Sequence, residues 1–209
     1  SIAKRIYAVG VPSGLMTAMP SLLVGILNAL LVELHALAVA AFGLYFKLQT
    51  FVYMPANGLI QGMRPLISYN YGAGRQDRMR HIIRWSLILT AVIMAAGTVI
   101  CMAASAPLIG LFSSNPDTIA IGQTALRIIC LGFIVSAVST TSSGALEGLG
   151  KGVPSLVISL CRYIIFIMPI AWVLCGRMGP TGVWHAFWIT EALSAVIAYA
   201  VYHKAVHQK

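Results

Sequence analysis

Six apolar stretches, each long enough to cross a lipid bilayer, follow one another along this chain with only short polar breaks between them. They cover about residues 11–33, 37–62, 86–112, 119–146, 154–175 and 182–202. A helix needs about 20 apolar residues to traverse the hydrocarbon core, and a backbone amide left unpaired there costs several kcal/mol. The breaks are brief: Glu33 to His35, Asn70 to Arg84, Ser113 to Asp117, Gly148 to Pro154 and Gly176 to Gly182. They leave no room for a soluble domain. The expected fold is an all-α membrane protein, one unit of six transmembrane helices over residues 1–209.

Composition excludes the alternatives. Of the 209 residues 59% are hydrophobic and 9% charged, where a soluble domain would carry roughly a quarter charged residues. The net charge of +9 raises nucleic acid as a partner, but the basic residues sit in the short breaks, as the positive-inside rule requires. If six helices alternate, Lys4, Arg5, Arg64, Arg75, Arg78, Arg80, Arg84, Lys151, Lys204 and Lys209 fall on one side, and only Arg177 falls in a loop on the other. Both termini are therefore expected in the cytoplasm of a multi-pass protein, with no nucleic-acid partner. The 70–84 break reads as a basic loop lying at the lipid headgroups.

Cys101, Cys130, Cys161 and Cys175 all lie within apolar runs without CxxC spacing, so neither a disulfide framework nor a metal site is expected. Enzyme motifs fail. The Gly144-to-Gly152 run lacks phosphate-loop spacing, and His203 with His207 has no third ligand nearby. Lys4-Arg5 before an apolar run has the polarity of a signal peptide, but the run continues to Val32 through Pro12 and Pro20, so a cleavable signal is not expected. The chain starts at Ser1 rather than Met. It is expected to be an excerpt or a processed piece of something longer.

The functional expectation comes from polar residues at membrane depth. A charge at a helix centre costs about 2.5–3.5 kcal/mol on insertion, so it normally faces a cavity or a partner. Lys47 lies about ten residues into the second stretch, Arg162 about eight into the fifth and Glu191 about nine into the sixth. One reading is a polar cavity lined by Lys47, Gln49, Asn57, Gln61, Arg162 and Glu191. The other is structural pairing, with Glu191 taken by Arg162 or Lys47. Pro55 and Gly58 in the second stretch, Pro12 and Pro20 in the first and Pro169 in the fifth suggest bent helices around such a cavity. Small residues four apart, Gly10 with Gly14, Gly58 with Gly62 and Gly144 with Gly148, suit close helix packing.

Residues 58–74, Gly-Leu-Ile-Gln-Gly-Met-Arg-Pro-Leu-Ile-Ser-Tyr-Asn-Tyr-Gly-Ala-Gly, resemble the signature closing the eighth helix of multidrug and toxic compound extrusion (MATE) transporters. Gly10-Val-Pro12, Ala125-Leu-Arg-Ile128, the Gly144–Gly152 run, Ser159-Leu-Cys-Arg162 and Gly179-Pro-Thr-Gly-Val-Trp184 agree in order. The resemblance implies the C-terminal six-helix lobe of a twelve-helix, two-lobed transporter. It makes Gly58, Gly62, Pro65, Asn70, Tyr71 and Gly72 a structural motif at the end of that helix.

It further implies export of cationic or amphipathic drug-like compounds by alternating access, in exchange for protons or sodium. The expected partners are the N-terminal lobe or a second copy, and membrane lipid; the expected location is a bacterial inner membrane. Pro20 stands where NorM-like members carry an acid, and Ile134 to Ala145 holds none. The likeness is therefore to the DinF-like branch, with no cofactor and the coupling ion held mainly in the other lobe. Two rivals remain open: a lipid-linked saccharide flippase using Lys47 and Arg162, and a transport-inactive membrane fragment.

Overall fold

The computed structural model describes residues 2–32 and 36–207, so Glu33 to His35 and Lys209 lie outside the described residues. The described residues form helices throughout: α1 Ile2–Val32, α2 Ala36–Gly72, α3 Gln76–Ala103, α4 Ser105–Gly110, α5 Pro116–Ile129, α6 Leu131–Gly148, α7 Gly152–Leu160, a π-helical segment Cys161–Phe166, α8 Ile167–Met178 and α9 Pro180–His207. Five of these paths are long and apolar enough to span a membrane, and the α5–α6 pair makes a sixth if its two halves are one crossing.

The core follows from this order. Phe42 and Tyr45 of α2, Phe133 of α6 and Trp184 and Phe187 of α9 are buried together with Leu27 of α1 and Ala171 of α8. Phe42 stacks on Trp184 with ring centroids 6.1 Å apart, and Tyr45 meets the edge of Phe187 at 5.7 Å. Two smaller clusters sit at the other end of the helices. One joins Ile60, Met63 and Ile67 to Met79 and Ile83. The second joins Leu146 and Ile158 to Ala198 and Ala205. That end also collects the basic turns: Ser68 Oγ donates to the Gly148 carbonyl at 2.6 Å, and the Lys151 amine donates to the Ala205 carbonyl.

The expected 70–84 loop is the largest correction. Only residues 73–75 leave the helices: α2 continues ten residues past the anticipated end at 62, and α3 starts at Gln76 rather than 86. Polar residues end a membrane span without ending a helix. Arg, Gln and Met are good helix formers, and Met79 and Ile83 keep one face of α3 buried against α2.

The turn itself is a glycine cap. Gly74 takes φ +70°, its N–H bonds the Tyr71 carbonyl at 3.1 Å, and the Arg75 N–H bonds the Asn70 carbonyl at 2.9 Å. This is the paired pattern that satisfies the last carbonyls of a helix. The end of α6 repeats it, with Gly150 at φ +73° and bonds from Gly150 N–H to Glu147 O and from Lys151 N–H to Leu146 O.

Helix breaks also fall elsewhere than the prolines suggested. α1 runs unbroken through Pro12 and Pro20, and α2 through Pro55 and Pro65. The expected fourth stretch, by contrast, bends by 49° between α5 and α6. At the bend the Cys130 carbonyl accepts the Phe133 N–H at 3.0 Å, a tightened turn, and also the Thr98 hydroxyl of α3 at 3.1 Å, a side chain inserted at the helix ladder. In the fifth stretch Pro169 cannot donate to the carbonyl four residues back, and the backbone just before it widens into the π segment. The third stretch divides at Ala104, leaving α4 as a short cap.

Of the three glycine pairs, only Gly144 with Gly148 lies at a helix crossing. A Cβ on Gly144 would run into the Ile60 side chain, and one on Gly148 would lie 3.0 Å from the Arg64 carbonyl oxygen. Gly10, Gly14, Gly58 and Gly62 have nothing within 4 Å of that position.

Candidate functional site

The π segment carries Arg162 into the interior, where its guanidinium pairs with the Glu191 carboxylate of α9. Both side chains are nearly buried, at 12% and 10% exposure. Glu191 reaches this place because α6 has Gly132 opposite it: a Cβ there would sit 3.1 Å from both Glu191 Cγ and the Trp188 backbone. Burying either charge alone would be far costlier than burying the pair. Among the described residues one carboxylate oxygen, Glu191 Oε2, has no partner, and the hydroxyls of Thr190, Ser194 and Tyr45 are also buried without one. Arg162 additionally lies over its neighbour Tyr163, 5.3 Å from the ring centroid. On the facing wall Tyr53 and Ser136 share a 2.7 Å hydrogen bond.

This pair lines a cavity of about 360 Å³, whose walls include Gln49, Asn57, Phe46, Met54 and Phe187. A second cavity of about 240 Å³ lies toward the basic end and holds Asn57, Gln61, Arg64, Glu147 and Ser159. Asn57, Thr140, Arg162 and Tyr163 line both, so they form a shared wall between an aromatic-rich chamber and a polar one. In the polar chamber Arg64 pairs with Glu147 at 3.1 Å and also donates to Gln61 at 3.1 Å. Glu147 further accepts from Ser13 at 3.3 Å and Ser155 at 3.4 Å, which ties α1, α2, α6 and α7 at one carboxylate.

The structure thus brings Gln49, Asn57, Arg162 and Glu191 around one space and Gln61 into the adjoining one. Lys47 belongs to neither. It is exposed on the other side of α2, in a groove with Phe112, Ser113 and Thr118, its amine 5.9 Å from the Phe112 ring centroid. The long flexible stem lets the ammonium reach the α4–α5 turn, so no partner at membrane depth is needed. In the expected motif at the end of α2, Asn70 is buried and its side chain donates to the Leu66 carbonyl at 2.8 Å. Pro65, Tyr71 and Gly72 are exposed. The closing conformation belongs to Gly74.

Arg64 and Glu147 escaped the sequence reading as a pair. Each was visible singly, but they lie 83 positions apart, and only the α2–α6 crossing at Gly144 and Gly148 joins them. Among the described residues no group of three or more His, Cys, Asp or Glu side chains is placed to hold a metal.

Helices long and apolar enough to span a membrane, packed around buried charge pairs and two chambers, define a multi-pass membrane protein. The MatE family model matches residues 12–173, and the chain belongs to that family. It is 27% identical over 200 residues to the multidrug export protein MepA of Staphylococcus saprophyticus, which covers 96% of this chain and 44% of that protein. It is 28% identical to MepA of Staphylococcus aureus, over 95% of this chain and 44% of the relative.

Among solved structures, the Vibrio cholerae MATE transporter VcmN in its bent form superposes with a TM-score of 0.91 at 20% identity, covering 96% of this chain and 46% of that one. A MOP superfamily transporter from Pyrococcus furiosus, described as having a binding pocket of reverse polarity, gives a TM-score of 0.90 at 18% identity, over 96% and 46%. At such identity these likenesses establish the fold. The chain spans a little under half the length of the relatives it matches.

Proposed function

We propose that this chain is one six-helix lobe of a secondary multidrug exporter, contributing one wall of the space through which cationic or amphipathic compounds leave the cell. The observation that carries this is the shared wall: Arg162 lies between an aromatic-rich chamber and a polar one, neutralised by Glu191 on the aromatic-rich side. Phe46, Met54 and Phe187 offer apolar surface to a drug-sized body, and Glu191, whose buried Oε2 has no donor among the described residues, puts a carboxylate on the same cavity for an amine. The names of the MepA relatives support the same substrate class. Alternating access of two lobes and coupling to protons or sodium complete the reading. The basic end then lies in the cytoplasm and the protein in the bacterial inner membrane.

The flippase alternative is not favoured. It relied on Lys47 and Arg162 as free cations for a pyrophosphate, yet Lys47 lies in a separate groove and Arg162 is paired. The cations lining the two chambers, Arg64 and Arg162, each have a carboxylate partner.

The test is ethidium efflux from cells expressing a two-lobed protein that carries this lobe. Efflux is expected to fall in Glu191→Gln, with membrane levels unchanged, and to collapse when the proton and sodium gradients are both dissipated. Undiminished efflux in that variant, or in the absence of both gradients, would contradict the proposal.

A further inference from the structure

The α2–α3 corner is a built surface rather than a loose loop. Its turn is fixed by the Gly74 cap, and Met79 and Ile83 anchor the first turns of α3 against Ile60, Met63 and Ile67. On this rigid frame Arg75, Arg78, Arg80 and Arg84 are all exposed, with Asp77 as the one acid among them. None of the four forms an ion pair among the described residues, where the two pairs are Arg64–Glu147 and Arg162–Glu191. Met79, Ile83 and Ser86 define the buried face of the helix. Arg80 and Arg84, four apart, therefore share an outward face, with Arg78 on the opposite flank.

Aromatic side chains border the patch. Trp85 is 59% exposed, Tyr69 74% and Tyr71 49%. Immediately beyond Trp85 the same helix turns lipid-facing, with Ile88, Leu89 and Val92 exposed. Arginine, then aromatic, then bare aliphatic surface along one helix is the order of headgroup, interface and hydrocarbon. The dimensions agree. α2 has 37 residues, about 55 Å at ~1.5 Å each, against a hydrocarbon core of about 30 Å. Its ends must therefore project beyond the core.

We propose that this corner is a fixed binding surface for anionic phospholipid headgroups, with Arg78, Arg80 and Arg84 contacting the phosphates while Trp85, Tyr69 and Tyr71 lie at the interface. The choice of lipid over a soluble acidic partner rests on that continuity, since the patch passes directly into exposed aliphatic surface on a helix apolar enough to span a membrane. It holds whether or not the lobe exports drugs.

The test places the full chain in phosphatidylcholine vesicles and compares association of spin-labelled phosphatidylglycerol with spin-labelled phosphatidylcholine. The wild type is expected to prefer phosphatidylglycerol several-fold, with the preference shrinking as salt rises. The combined variant Arg78→Gln, Arg80→Gln, Arg84→Gln is expected to bring the preference close to one, since a single surface arginine is already worth about fivefold. Replacing the same three by Lys should retain the preference, and Asp77→Asn should raise it. If the triple Gln variant unfolds early, the single Arg→Gln variants are compared instead, each expected to lower the preference. No preference in the wild type, one that survives the Gln substitutions, or one lost in the Lys variant would overturn the proposal.

Discussion

Two arginine–glutamate pairs stand at different depths in this lobe, and their surroundings differ more than their chemistry. In the Arg162–Glu191 pair both partners are nearly dry, and one carboxylate oxygen is left without a donor. In the Arg64–Glu147 pair the arginine is 33% exposed, and the carboxylate gathers a second and third donor from Ser13 and Ser155. A carboxylate set among donors from three other helices works as a clasp between them. A carboxylate that lines a cavity and keeps one buried oxygen without a donor is the one that the proposed function assigns to the ligand. Under the proposed function, the contrast is between a pair that holds the lobe together and a pair that meets the compound being exported.

The largest effect should come from breaking the inner pair on one side. Glu191→Ala leaves the Arg162 charge buried without a partner, which costs about 3–5 kcal/mol. Unfolding in detergent should show that loss, and the double change Arg162→Leu with Glu191→Leu should recover most of it. If the double variant is no more stable than Glu191→Ala, the unpaired charge is not the cause.

A smaller effect is expected where the outer clasp depends on close helix approach. Gly148→Ala sets a methyl against the Arg64 carbonyl, 3.0 Å away, and overpacking of this kind costs about 1–3 kcal/mol. Gly58→Ala meets nothing within 4 Å and should be neutral or slightly stabilising in the same denaturation assay, because Ala is the better helix former. Equal destabilisation by both would remove the distinction between a crossing glycine and an open one.

The clasp itself should be worth less than the inner pair. Glu147→Gln keeps the shape and an acceptor and leaves a guanidinium, Arg64, that is 33% exposed and can turn to water, so a smaller loss than that of Glu191→Ala is expected, with the difference shrinking at high salt. A loss as large as that of Glu191→Ala would contradict the division of roles. Lys47→Met should matter least: its contact with Phe112 is a cation–π interaction at the protein surface, worth about 0.5–1 kcal/mol. Dye efflux should be unchanged.

Much of this was legible in the chain. Length and apolarity of the six stretches carried the fold class, and the expense of charge in lipid pointed to Arg162 and Glu191. Boundaries were less legible because hydropathy reports where lipid ends, whereas α2 and α3 continue past it on buried Met79 and Ile83. Proline was a poor guide to helix breaks. Pro55 stays inside a continuous helix, and the 49° bend falls at Cys130, whose carbonyl is bonded by Thr98 from another helix. Lys47 looked like Arg162 in sequence. What distinguishes them is which side of α2 faces the cavity, and periodicity cannot supply that where most faces are apolar.

The most direct test of the interior site is ligand protection at Asn57, which lines both chambers. In a Cys161→Ser background, Asn57→Cys would be labelled with a maleimide in the presence and absence of ethidium, beside Lys47→Cys as the control. The account predicts that ethidium slows labelling at position 57 and leaves position 47 unaffected. Labelling at 57 that proceeds at the same rate with and without the dye, while 47 is protected, would contradict it.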